Sequence, residues 1–192
     1  MHGAAAVLMT TTTPRATTNE DLRLAQGCAH GDSTIFEEIY REHSDRMKSI
    51  AYNHLGNVSD AEDAVQETFL KLHRSASTYN GESAFATWMY RVLINTCYDA
   101  LRRRQRRIQE APLDDVITGA RAGANIDDAK RITLRKMLAE LPEQRRTVFV
   151  LFEIEGLSHA EIGQILNISE GNSKWILFAT KKQLQEQWKN QS

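Results

Sequence analysis

Residues 156–182 read GLSHAEIGQILNISEGNSKWILFATKK. Ser158 and Glu161 stand three apart before an apolar run, the spacing of a capping box in which each side chain satisfies an orphan backbone donor of the other. Ile162, Ile165 and Leu166 then give a short helix one apolar face. Asn167-Ile168 marks a tight turn, and Ser169 can cap a second helix running to about Trp188. Short helix, turn and longer helix make a helix-turn-helix, in which the first helix braces a second whose amino-terminal residues meet major-groove base edges. Here those residues are Glu170, Gly171, Asn172, Ser173, Lys174 and Trp175. A helical hairpin with a structural cap is the other reading of the same residues.

Upstream of this unit the pattern stays helical. Gly156 stops a helix whose first turn suits Pro142, and an earlier helix ends near Leu141. Nearer the amino terminus, Ile35, Phe36, Ile39, Tyr40, Met47, Ile50, Ala51 and Leu55 recur at steps of three and four, and strand-like alternation is absent. Gly56 to Asp60 breaks that helix. Ser59 or Asp60 can cap the next, in which Ala61, Ala64, Val65, Thr68, Phe69 and Leu72 share a face opposite Glu62, Asp63 and Glu67. After a turn at Tyr79-Asn80-Gly81, Ser83 can start a long helix ending in an arginine run. The amino-terminal block is therefore expected to hold three or four helices.

Charge is spread unevenly along the 192 residues, although the whole chain carries only −1. Residues 20–107 hold 12 basic against 13 acidic side chains, yet six arginines fall between Trp88 and Arg107. Residues 108–129 hold one basic against five acidic, with Pro112, Gly119 and Gly123, and read as a linker. Residues 130–192 turn basic again, 10 against 7. A uniformly basic, histone-like chain is excluded, as is a disulfide framework, since Cys28 and Cys97 are the only cysteines. No apolar run approaches the ~18 residues of a membrane span. No Walker loop, HExxH or Glu-x-x-His motif occurs, which argues against the common helical enzymes.

Two further stretches carry chemistry. Aromatic and cationic side chains alternate through residues 78–107, and such a surface can stack exposed bases while arginines hold phosphates. A packed core followed by a solvated helix end is the competing reading. The acidic face at Glu62, Asp63 and Glu67 is either a docking surface or an ordinary solvated one.

Together, SDAEDAVQETFLKLHR (59–74), YNGESAFATWMYRVLINTCYDALRRRQRR (79–107) and LPEQRRTVFVLFEIEGLSHAEIGQILNISEG (141–171) resemble regions 2 and 4 of the extracytoplasmic-function sigma factors of bacterial RNA polymerase. The motifs stand in family order, and the resemblance covers about residues 20–187. It implies an all-α chain of two helical domains joined by a flexible linker: a mobile arm at 1–19, a region 2 domain at 20–107, the linker at 108–129 and a region 4 helix-turn-helix domain at 130–192. Such a chain is a cytoplasmic, non-catalytic factor without metal or cofactor, which gives the polymerase core its promoter specificity and is held in check by an anti-sigma protein.

Carried over residue by residue, the resemblance assigns Glu62, Asp63, Gln66, Glu67 and Leu70 to the clamp coiled coil of the largest polymerase subunit. It assigns Tyr79, Asn80, Phe85, Trp88, Arg91, Asn95, Asp99, Arg102 and Arg103 to the minus-ten element, with Tyr79 at the loop where a base is flipped. Ser169, Asn172, Ser173, Lys174, Trp175, Phe178 and Lys181 fall to the minus-thirty-five element. One departure stands out: arginines usual in the family near Ile176 and Ala179 are missing. A transcription regulator with a helical sensor domain, acting on duplex DNA without polymerase, is the alternative function.

Overall fold

The computed structural model describes residues 18–110, 133–134 and 136–191. The segments read as arm and linker lie outside these residues, apart from Thr18, Asn19 and residues 108–110. All regular structure among the described residues is helical.

Helix α1 (Asn19–His30) opens with a capping box. The Asp21 N–H donates to Thr18 Oγ1 at 3.2 Å, and the Thr18 N–H donates back to the Asp21 carboxylate at 2.7 Å. The other Asp21 oxygen accepts the Phe85 N–H at 2.8 Å, so one buried carboxylate caps both α1 and α4 (Phe85–Glu110). This long-range cap is why α4 begins at Phe85 and not at Ser83, whose carbonyl takes the Tyr79 hydroxyl at 2.6 Å. At its other end α4 runs three residues into the stretch read as linker.

Helix α2 (Ser33–Leu55) starts at an Asp32 cap and ends at Gly56, whose φ of +72° suits glycine. Where α1 crosses α2, a Cβ on Gly27 would fall 2.4 Å from the Ile35 side chain, so glycine permits the approach. Helix α3 (Val58–Ser75) is capped by Asn57, whose amide oxygen accepts the Ser59 and Asp60 N–H groups. The cap therefore lies just before the expected Ser59 or Asp60, because Asn57 itself satisfies both of their amides. Ile39, Met47, Ile50, Val65, Leu72, Phe85, Met89, Leu93 and Ile94 fill the core between α2, α3 and α4.

In the carboxy-terminal half, helical residues 136–140 lead to α5 (Glu143–Phe149), with Pro142 at its cap position and not inside its first turn. A π-helical segment, Val150–Ile154, extends α5, and Gly156 (φ +69°) ends it. Helix α6 (His159–Leu166) and α7 (Glu170–Gln191) flank the Asn167-Ile168 turn. The turn is tight enough that a Cβ on Gly163 would meet the Ile168 carbonyl oxygen at 2.7 Å. Met137, Leu138, Leu141 and Leu184 form a small cluster of their own.

The two units are not held apart. Val148, Leu151, Leu157, Ile162, Ile165, Ile176 and Leu177 join the same buried cluster as the α1–α4 core. Sequence reading gives two helical domains and says nothing of this packing, because the apolar faces that meet are separated by the linker.

Candidate nucleic-acid interface

Helix α3 buries Ala61, Ala64, Val65, Thr68 and Leu72 and turns Glu62, Asp63 and Gln66 to solvent. Leu70 is 60 % exposed, an apolar side chain on an otherwise polar face. Glu67 is less free. Its carboxylate accepts a hydrogen bond from Arg103 at 3.0 Å and pairs with Lys71 at 3.3 Å. Partial burial opposes its ionisation, but these two cations outweigh that effect and hold its carboxyl below the usual range. The five residues expected to dock a partner thus share one helix, with Glu67 tied to the arginine run of α4.

Rings of Tyr79, Phe85 and Trp88 gather with centroids 5.5 to 5.8 Å apart in edge-on and tilted arrangements. Their exposure sorts them. Phe85 is fully buried, so its place is in the core beneath the site and no base can reach its ring. Trp88 keeps 8 % of its surface and offers only an edge, while Tyr79 is half-buried and Asn80 is exposed. Along α4, Asn95, Arg102 and Arg103 face solvent; Asp99 sits 3.4 Å from both Lys71 and Arg102. Arg91 points toward the other half of the molecule and donates to the Gln164 carbonyl.

In the helix-turn-helix the capping box forms as expected, with Ser158 and Glu161 bonded reciprocally. Ser169 caps α7 by accepting the Asn172 N–H at 3.1 Å. Ser173 corrects the sequence reading: it is fully buried, and its hydroxyl lies 2.9 Å from His159 Nδ1, so it braces α6 against α7. His159 is held in turn by stacking on Phe152, with centroids 4.3 Å apart. Asn172 and Lys174 are exposed, as are Trp175 (60 %) and Phe178 (69 %). Ile176 and Leu177 between them are buried. Lys174 pairs with Glu170 and Lys181 with Glu153, each at 2.6 Å.

A polar cluster that sequence reasoning missed lies where the two halves meet. The buried Arg146 guanidinium donates to the carbonyls of Leu138, Ala139, Leu141 and His54 at 2.7 to 3.1 Å. His54 Nδ1 faces the Ile50 carbonyl at 2.8 Å, and a carbonyl only accepts, so the ring proton sits there. Its Nε2 meets the Thr147 hydroxyl at 2.9 Å, which Tyr98 approaches at 2.6 Å. Burial pushes His54 down to about 4; the Ile50 carbonyl opposes the shift, and the Arg146 charge adds a smaller push in the same direction as burial. Nothing local in the sequence pairs residues 92 or 93 apart. Burial also raises the thiols of Cys28, to about 11, and Cys97, to about 12, which makes both inert packing residues.

A helical chain that carries an acidic-faced helix, an aromatic-basic helix and a helix-turn-helix in that order has the form of a DNA-binding transcription protein. The family described as Sigma-70 region 2 matches residues 39–107, and Sigma-70, region 4 matches residues 131–184. The chain is 30% identical over 154 residues to the ECF RNA polymerase sigma factor SigM of Mycobacterium tuberculosis, covering 80% of this chain and 77% of that one. It is likewise 30% identical over 172 residues to SigW of Bacillus subtilis, covering 82% and 90%. It belongs to the extracytoplasmic-function sigma factors of RNA polymerase, within the sigma-70 family.

Solved structures share the fold. CnrH in complex with the cytosolic domain of CnrY superimposes with a TM-score of 0.67 at 20% identity, covering 91% of this chain and all of that one. RpoE of Bartonella quintana, in complex with the anti-sigma factor NepR, gives 0.61 at 22% identity, covering 80% and 96%. Among the described residues, no helix is long and apolar enough to cross a membrane.

Proposed function

We propose that α3 docks this sigma factor on the polymerase core, through Glu62, Asp63, Gln66, Glu67 and Leu70 against the clamp coiled coil of the largest subunit. The observation that carries this is an acidic face bordered by an exposed leucine, Leu70, on the side of its last turn, displayed by a helix whose opposite face packs into the core. A regulator that acts on duplex DNA alone has no use for such a face. Charge complementarity supplies association rate and selectivity, and the exposed leucine supplies an apolar anchor.

The surface of Tyr79, Asn80, the Trp88 edge, Asn95 and Arg102 takes the melted minus-ten strand. Flipping a base costs a few kcal/mol of unstacking, which a pocket with an aromatic wall and an amide donor offsets. Asn172, Lys174, Trp175 and Phe178 meet the minus-thirty-five duplex, with Lys181 on phosphate. Ser169 and Ser173 serve as cap and brace. The chain itself catalyses nothing, since nucleotide addition is the polymerase's chemistry, and it works in the cytoplasm where that enzyme is. The complexes of CnrH and RpoE suggest an anti-sigma partner for this chain as well. Pull-down with core polymerase followed by run-off transcription tests the reading. We expect stable core binding and promoter-dependent transcripts; DNA binding without core binding would favour the duplex-only regulator.

A further inference from the structure

Large aromatic side chains in water need a reason, and Trp175 and Phe178 both keep more than half of their surface exposed just after the turn of the helix-turn-helix. At 3.6 residues per turn, Gly171, Trp175, Phe178 and Lys182 fall within about 60° of one another around α7. All four are exposed, and they form the middle of its exposed side. When a recognition helix lies in the major groove, that middle is what approaches the base edges. A Cβ on Gly171 would meet nothing within 4 Å, so the glycine leaves room for a base edge beside Trp175.

The charged groups flank this stripe. Lys174 and Lys181 lie toward one edge, each 2.6 Å from a carboxylate, Glu170 and Glu153 respectively. Asn172 lies toward the other edge, and Ile176 and Leu177 are buried. No arginine stands anywhere on α7 to grip guanine. Apart from the indole N–H, the middle of the face offers no hydrogen-bonding side chain before Lys182. The apolar feature that bases display in the major groove is the C5-methyl of thymine. Side chains three apart on a helix have Cβ atoms ~5 to 6 Å apart, and base pairs stack at ~3.4 Å, so two such rings span one or two base steps.

We propose that this factor reads its minus-thirty-five duplex through thymine methyl groups: Trp175 and Phe178 pack on the C5-methyls of two thymines one or two base steps apart. This rests on the placement of α7 at the minus-thirty-five duplex made above, and adds the base that it selects.

The test uses holoenzyme assembled from core polymerase and the full chain. A duplex library randomised upstream of the melted region is selected for binding, and thymines of the enriched duplex are then replaced one at a time by uracil, which lacks only the C5-methyl. Two thymines, one or two steps apart, should each lose about fourfold in affinity as uracil, the weight of one buried methyl group, and about fifteenfold together. This comparison uses the parent chain, so it does not depend on any variant folding. Trp175→Ala should remove the uracil effect at one thymine and Phe178→Ala at the other, while Trp175→Leu and Phe178→Leu, which keep an apolar side chain, should retain part of it. A holoenzyme that enriches no such thymines, or that binds the uracil duplex as tightly as the thymine duplex, overturns the inference. So does guanine selected opposite Trp175, which would accept the indole N–H instead. If the alanine variants weaken thymine and uracil duplexes alike, α7 meets the duplex by other contacts and only the methyl readout falls. If they weaken neither, the placement of α7 on the duplex falls as well.

Discussion

Arg146 offers the most demanding check on the energetics of this fold. Its guanidinium is 8% exposed and holds four carbonyls, three of them (Leu138, Ala139 and Leu141) in the chain that ends the preceding helical residues. Those carbonyls belong to a helix terminus, where the last turn leaves acceptors over, although Leu138 also accepts the Leu141 N–H at 3.2 Å, and a cation there also suits the helix dipole. The fourth acceptor, His54, is in the other half. Each buried acceptor left empty costs about 1 to 3 kcal/mol. If water reaches two of the four, Arg146→Ala loses ~4 kcal/mol, a large part of the 5 to 15 kcal/mol typical of a folded domain.

The series Ala, Lys and Met separates the contributions. A lysine ammonium has three donors on a flexible stem and cannot span the four acceptors, so Arg146→Lys should lose about 2 kcal/mol. Arg146→Met removes the desolvation penalty of the charge together with the bonds and should lie between Lys and Ala. Urea unfolding followed by circular dichroism at pH 7.5 gives the numbers. With a slope of about 2 kcal/mol per molar urea, the Ala midpoint should fall by about 2 M. A loss under about 1 kcal/mol for Ala, or a Lys variant as stable as the parent, would refute the assignment of Arg146 as the group that satisfies these carbonyls.

Acid should weaken the joint through His54. Its ring is neutral in the docked chain and faces Arg146, Thr147, Tyr98 and the Ile50 carbonyl; its pKa falls from 6.5 to about 4, so the stability is complete above pH 6.5 and drains away as pH drops toward 4, by at most ~3 kcal/mol at ~1.4 kcal/mol per pH unit. His43 and His159 are also lowered by burial, so the measurement is the difference in urea stability between the parent and His54→Gln from pH 7 to 4.5; parallel curves would contradict it. Glu67→Lys should weaken binding to core polymerase at least tenfold, an effect of ~1.4 kcal/mol in surface plasmon resonance, while the far-ultraviolet spectrum stays unchanged. Trp175→Ala and Phe178→Ala, at exposed positions, should change stability by less than ~0.5 kcal/mol and still weaken duplex promoter binding by the holoenzyme in gel-shift titration. Ile176→Arg should instead unfold the carboxy-terminal unit, because Ile176 is buried, whereas Ala179→Arg should be tolerated and steepen the salt dependence of duplex binding by about one.

Helix existence and the helix-turn-helix were legible because their signals are local. Ser158 and Glu161, or Ile162 and Ile165, interact within one turn, and Asn167 and Gly163 mark the bend in the chain itself. Boundaries were less legible where the cap is remote. Asp21 caps α4 from 64 residues away, so the choice between Ser83 and Phe85 as its start could not be made locally. The run Trp175-Ile176-Leu177-Phe178 shows the same limit. Four consecutive apolar residues have no period, and only packing against α5 and α6 decides that the inner pair is buried and the outer pair is not. Ser173 looked like a reader of bases by its place at the helix start, but whether it faces groove or core depends on a few tens of degrees of rotation that His159 fixes from another helix. Arg146 and His54 carried no signal at all, since an arginine in a helix and a histidine in a helix are ordinary until the two meet.

The exposed pair Trp175 and Phe178 bears on how tightly this sigma factor needs to hold duplex DNA. Lys174 and Lys181 each neutralise a neighbouring carboxylate, so neither is wholly available to phosphate without giving up Glu170 or Glu153. Arginines at Ile176 and Ala179 are missing, and arginine is the side chain that grips guanine edges and phosphates best. What remains at the groove is an amide, a lysine and two large apolar surfaces, which favour contact with apolar groups in the groove over strong charge neutralisation. Such a unit should bind duplex DNA weakly by itself, which titration of the carboxy-terminal helices with a promoter duplex would check. Weak binding is sufficient once α3 is anchored on polymerase and the minus-ten strand is held, because the helix-turn-helix then meets its site at the effective concentration set by the linker.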